Sequence, residues 1–186
     1  VCSSDLIDRA FYWFREVEAA CSRFDSDSEL MQLVRHVGTP VHASDLLFEA
    51  TRFALAVAEE TDGAFDPTIG KTMELRGFNR RYATGALVDT PVDPPADVSW
   101  RDVECDTDAR TILLKRPLVL DLGAVAKGLA IDIAARELLP FRDFAIDAGG
   151  DLYLGGRNPD GDPWAIGIRH PRKDGQVIDV LRLSDA

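Results

Sequence analysis

Apolar residues near the start of the chain, Leu6, Ala10, Trp13, Phe14, Val17, Ala20, Cys21 and Phe24, recur every three or four positions. That spacing gathers side chains on one face of an α-helix. In SDSELMQLV, Ser26 and Glu29 stand three apart, the pattern of a capping box, which predicts a second, short helix starting there. A third helix is predicted with Ser44 as its N-cap and Leu47, Ala50, Ala54, Val57 and Ala58 on one face, ending near Asp62-Gly63. The periodicity then breaks. Gly63, Pro67, Gly70 and Gly77 punctuate GAFDPTIGKTMELRGFN, and TGALVDTPVDPPAD reads as surface loop.

Beyond that loop, DVECD and TILLK flank TDAR, a hairpin signature. PLVL reads as a strand that leads into a helical pattern, VAKGLAIDIAARELL. FAID, DLYLGG, WAIGI and VIDVLRL are strand candidates, separated by the turn residues GG, NPDGDP and KDG. The predicted architecture is α+β: a helical N-terminal third, then a mostly antiparallel sheet region with one long crossover helix. At 186 residues one domain suffices.

Composition narrows the function. A formal charge of −11 excludes a general nucleic-acid binder, which needs clustered Lys and Arg. No apolar run is long enough to span a bilayer. Cys2, Cys21 and Cys105 are odd in number and lack close pairing, so neither a disulfide framework nor a zinc knuckle is predicted. VCSSDL has no basic and apolar leader pattern, and VIDVLRLSDA reads as a strand that stops. A chain incomplete at both ends is expected.

The candidate chemistry begins with DLGAVAKGLAID, residues 121–132. The spacing puts Lys127 in or near the first turn of the predicted helix, where partial positive charge favours anions over cations. A bound anion, phosphate above all, would resolve that conflict. The stretch is neither a Walker loop, which needs Gly-Lys-Ser/Thr, nor G-x-G-x-x-G. In FAIDAGGDLYLGG, Asp147 and Asp151 bracket two glycines, either as carboxylates facing a common site or as a plain hairpin tip. In GAFDPTIG, Asp66-Pro67 is a turn opener, and Phe65 and Ile69 fit a core role.

Taken in order, SRFDSDSEL (22 to 30), GAFDPTIG (63 to 70) with GF at 77 and 78, DLGAVAKGLAID, AGGDLYLGG (148 to 156) and GDPWAIGIRHP (161 to 171) resemble the ApbE family of FAD:protein FMN transferases. The resemblance implies a single ApbE-like domain over residues 1–186. It also implies an enzyme that takes FAD, uses Mg²⁺ and moves FMN to a Ser or Thr hydroxyl of an acceptor protein, releasing AMP. Its alternatives are an FAD pyrophosphatase giving FMN and AMP, or a noncatalytic flavin-binding protein. Relatives include exported lipoproteins and members without an anchor.

The site residues come from the same resemblance. Phe24 stands where the family places an aromatic against the isoalloxazine. Asp66, Thr68, Gly149, Gly150 and Asp151 would line the nucleotide pocket. Gly123 and Gly128 give the backbone room beside Lys127, the catalytic candidate, and the carbonyl of Ala124 is the metal-ligand candidate. The chain departs from the family pattern at VRHV after the SEL motif and at the aspartate of IDAGGD, both common places for asparagine. The family's C-terminal turn, histidine and metal-binding Asp and Thr have no counterpart here, and His36, His42 and His170 do not match that histidine.

Overall fold

The computed structural model describes residues 3–81 and 84–185; Cys2 lies outside them. The elements are α1 (Ser3–Cys21), α2 (Glu29–Leu33), β1 (Val41–His42), α3 (Asp45–Glu60) and α4 (Gly70–Leu75), followed by a 3-10 turn (Trp100–Asp102). Then come β2 (Val103–Asp106), β3 (Thr111–Leu114), α5 (Gly123–Leu138), β4 (Phe144–Asp147), β5 (Leu152–Gly155), β6 (Trp164–Arg169) and β7 (Val177–Leu183). The fold is α+β with antiparallel sheets. The chain divides into two compact units, residues 15–129 and residues 1–14 with 130–186.

In the unit of residues 15–129, β1, β3 and β2 form an antiparallel sheet in that order. Register places Ile112 opposite both Val41 and Cys105, and Leu114 opposite Val103. Alternation sends Ile112, Leu114 and Val103 inward, where they are buried. α3 lies against this sheet. Its inward face carries the predicted Leu47, Ala50, Ala54 and Ala58, with Phe48 and Thr51 added, all fully or almost fully buried. Ser44 caps α3 as predicted, its hydroxyl accepting from the Leu47 amide at 3.3 Å. Phe48 is completely enclosed, with the Arg110 guanidinium 4.6 Å from its ring centroid. Arg110 in turn pairs with Asp45 and Glu49 at the start of α3.

Two local expectations shift. The cap of α2 is Ser28, not Ser26: the Ser28 hydroxyl accepts from the Met31 amide at 3.1 Å, and Glu29 bonds Ser44 instead. PLVL does not form a strand. Only Val119 bridges Ile69, yet Leu118, Val119 and Leu120 are all fully buried. The apolar run therefore records enclosure on both sides, not membership of a ladder.

In the other unit, Leu6 and Ala10 of α1 pack against Ala134 and Leu138 of α5, with Phe14, Phe141, Phe144 and Ile146 around them. Trp13 donates to Glu137 at 2.9 Å. The predicted strands FAID and LYLG pair as a hairpin, and Phe144 stacks on Tyr153 with centroids 5.6 Å apart. β6 and β7 form a second ribbon. Val177, Ile178, Val180 and Leu181 on β7 are all exposed.

Among the described residues the free thiols are buried Cys21 and half-buried Cys105. Burial pushes the Cys21 thiol up to about 12, helped by the nearby Glu29 carboxylate. Cys105 rises to about 11 for the same first reason, burial. The thiolate is the reactive form, so at pH 8 neither acts as a nucleophile. Labelling located by mass spectrometry is expected to be much slower at both residues in the folded chain than in urea; equal rates would refute the enclosure. An acid whose folded value is raised stabilises the fold fully below its unfolded value near 9.0. That contribution is lost as pH rises toward 11 to 12.

Candidate functional site

The chemistry predicted around Lys127 starts with how α5 begins. The Leu122 carbonyl accepts from the Ala126 amide at 2.8 Å, which closes the first helical turn. The Asp121 carboxylate caps the end through Oδ1, which accepts from the Gly123 amide at 2.9 Å. Helical residues start at Gly123, so Lys127 is the fifth, just past the first turn and close to where the sequence put it. Lys127, Gly123, Ala124 and Gly128 are all exposed. A helical side chain leans toward the helix N-terminus, so a long lysine there still reaches back over the first turn.

The GAFDPTIG loop is stitched to the segment that precedes α5. The Asp121 amide donates to the Pro67 carbonyl at 2.7 Å, and the Gly70 amide donates to the Val119 carbonyl at 3.0 Å. Gly70 has to be glycine: a Cβ there would lie 2.5 Å from the Val119 carbonyl oxygen. Within the loop, Asp66 Oδ1 accepts from the Thr68 amide (2.8 Å) and hydroxyl (2.7 Å). Its Oδ2 accepts from the Trp100 amide at 3.1 Å. Both Asp66 oxygens therefore have protein partners, and Thr68 is buried. These two residues shape the loop beside the start of α5.

Phe24 lies beyond the end of α1 and is half-buried. One face of its ring is covered by the neighbouring Arg23 guanidinium, whose Cζ is 4.0 Å from the ring centroid. Phe24 and Arg23 line a cavity of about 720 Å³ together with Arg35, Arg81, Val88 and Asp89. Asp66, Thr68, Gly123 and Lys127 are not among its lining residues. Sequence reasoning missed Arg23. It is 4% exposed, donates from Nε to Asp121 Oδ2 at 2.7 Å and from Nη2 to the Phe78 carbonyl at 2.6 Å. Nothing local signals this, because its carboxylate partner is 98 positions away in sequence.

Gly149, Gly150 and Asp151 belong to the other unit, at the tip of the β4–β5 hairpin. Both glycines have positive φ, 73° and 101°, the region that favours residues without a side chain. Asp147 Oδ1 accepts from the Gly150 amide at 2.9 Å, and the Ala148 amide donates to the Asp151 carbonyl. Of the two readings of this motif, the local bonding is that of a hairpin tip.

Magnesium wants several oxygen ligands in near-octahedral array. At the start of α5 the residues present offer it the Ala124 carbonyl, while both oxygens of Asp121 are engaged by Arg23 and Gly123. Among the described residues no group of three or more His, Cys, Asp or Glu side chains could hold a metal ion. The donor set present does not make a magnesium site.

The wider comparison agrees with these motifs. The ApbE family model matches residues 2–186. A Vibrio cholerae protein named FAD:protein FMN transferase is 30% identical over 171 residues, covering 89% of this chain and 51% of its own length. Its Haemophilus influenzae namesake is 28% identical, over 87% of this chain and 49% of its own length. The chain thus spans about half the length of the curated relatives it matches. The crystal structure of the ApbE protein from Thermotoga maritima covers 100% of the chain with a TM-score of 0.81 at 28% identity, and 61% of that protein is matched. The flavin transferase ApbE from Vibrio cholerae gives 0.82 at 25% identity. With the ordered motifs, the fold and the family match running over the same residues, this chain belongs to the ApbE family.

Proposed function

We propose that the full-length protein carrying this chain transfers FMN from FAD to a Ser or Thr hydroxyl of an acceptor protein, and that residues 1–186 form part of a single domain for that reaction. The family match over residues 2–186, among relatives named FAD:protein FMN transferase, carries the proposal. In this reaction the acceptor oxygen bonds to the phosphorus of the FMN half. The pyrophosphate P–O bond to AMP breaks, AMP leaves with the bonding electrons, and the hydroxyl proton is released.

Local geometry supports roles for this chain's residues. The dipole of α5 favours a phosphate near its first turn, where Asp121 already takes the Gly123 amide, and Lys127 one turn on supplies positive charge against the charge that develops on the leaving group. Gly123 and Gly128 keep that surface free of side chains. Phe24 offers the ring face not covered by Arg23 to a flavin, an apolar stacking surface. Asp66 and Thr68 hold the adjoining loop. For Gly149, Gly150 and Asp151 the family resemblance, and no contact among the described residues, supports a nucleotide-binding role. The magnesium requirement that the resemblance implies finds little support in the donors present, Ala124 included, so no step here runs through the metal.

The test is incubation of the full-length protein with FAD and a Ser/Thr acceptor peptide, with and without Mg²⁺, read by mass spectrometry. A peptide heavier by one FMN, with an equal amount of AMP, is the expected product. Free FMN and AMP without labelled peptide would show a pyrophosphatase, and bound but unchanged FAD a carrier; either result overturns the transferase proposal.

A further inference from the structure

We infer that Arg23 is a positioning residue that fixes the Phe24 ring and the start of α5 in one arrangement, so that the ring-binding and diphosphate-binding ends of the flavin site are set together. The inference rests on the proposed flavin nucleotide reading and goes beyond it in naming what joins the two ends.

A single guanidinium makes all the connections. Nε holds Asp121, Nη2 holds the Phe78 carbonyl, and the guanidinium plane covers the Phe24 ring. Asp121 passes the constraint on: its other oxygen caps Gly123, and its amide ties the Pro67 loop. Arginine suits this place because its fork is planar and its donors diverge at fixed angles, which a lysine ammonium cannot reproduce.

Stability alone is a poor account of Arg23. A buried ion pair is weak evidence of net stabilisation, since desolvation opposes the attraction. Here the third nitrogen, Nη1, is also buried and has no hydrogen-bond acceptor among the described residues. A buried donor left without an acceptor is a cost that calls for a reason. The covered ring face supplies one: with the guanidinium fixed against it, Phe24 turns its opposite face to the ligand and is held there.

The experiment titrates the full-length protein carrying this chain and its Arg23→Lys and Arg23→Gln variants with FAD, riboflavin and ADP, following flavin absorbance or displacement of bound FAD. If Arg23 registers the two ends, the variants lose about tenfold in affinity for FAD, as linked contacts do when their geometry slips, and less than about threefold for riboflavin or ADP alone. Equal losses for all three ligands would mark a purely structural residue and overturn the inference, as would FAD affinity unchanged from the parent protein. Failure of the full-length parent protein to bind FAD would instead count against the flavin reading. Hydrogen exchange without ligand gives an independent check. Exchange at the Asp121 and Gly123 amides is expected to speed up in Arg23→Lys, which keeps the charge and guards against a variant that fails to fold. Unchanged exchange at both amides would overturn the link between Arg23 and α5.

Discussion

Replacing Lys127 by alanine in the full-length protein is expected to lower the rate of FMN transfer by about 100-fold or more, the usual effect of deleting one preorganised charge or donor from a reacting centre. The fold should change little. Lys127 is exposed on α5, and the interactions of an exposed lysine are worth about 1 kcal/mol or less. The prediction thus separates chemistry from folding: single-turnover transfer rates should fall while the melting temperature drops by a few degrees at most, about what so small a change in stability produces. A transfer rate within about threefold of the parent protein would remove Lys127 from the mechanism. A large fall in melting temperature would assign it to the fold instead.

The largest stability effect is expected at Phe48→Ala, about 3–5 kcal/mol, the range for emptying an aromatic site in a core. Phe48 is fully buried on α3, and Leu47 of the same helix and Ile112 and Leu114 of β3 are enclosed as well. Relaxation is limited because the sheet beside α3 is tied by the β1–β3 and β2–β3 ladders. Removing the ring also leaves the Arg110 guanidinium without the surface it covers, though its pairs with Asp45 and Glu49 survive. Urea denaturation should show a lower midpoint with an unchanged slope. A loss below about 1 kcal/mol would mean that the site collapses around the gap, contrary to the tight packing expected of a core.

What the sequence made legible follows from how local each cause is. α1, α3 and α5 could be read because an apolar face repeats over several turns, and the β2–β3, β4–β5 and β6–β7 pairs because turn residues separate short apolar runs. α4 escaped because it carries no such signal. It begins at Gly70, has Ile69 at its cap without a side-chain bond, and is six residues long. β1 is two residues long and exists only by pairing with β3. The α2 cap fell on Ser28 because Glu29 was drawn away to Ser44, fifteen positions on. Around the candidate site, the glycines and Lys127 stood out as motif residues, but the connection through Arg23 and Asp121 depends on chain closure and leaves no mark on either neighbourhood.

The β6–β7 ribbon has a practical consequence. Within residues 1–186 the paired strands are mostly exposed, with Trp164, Ile166 and Leu183 half-buried, so little burial enforces their alignment and slipping by one residue is weakly opposed. Val177, Ile178 and Val180 line an exposed strand, a template for adding further strands. When these 186 residues are concentrated by themselves, growth of intermolecular sheet should begin at this ribbon, ahead of any loss of the helical core.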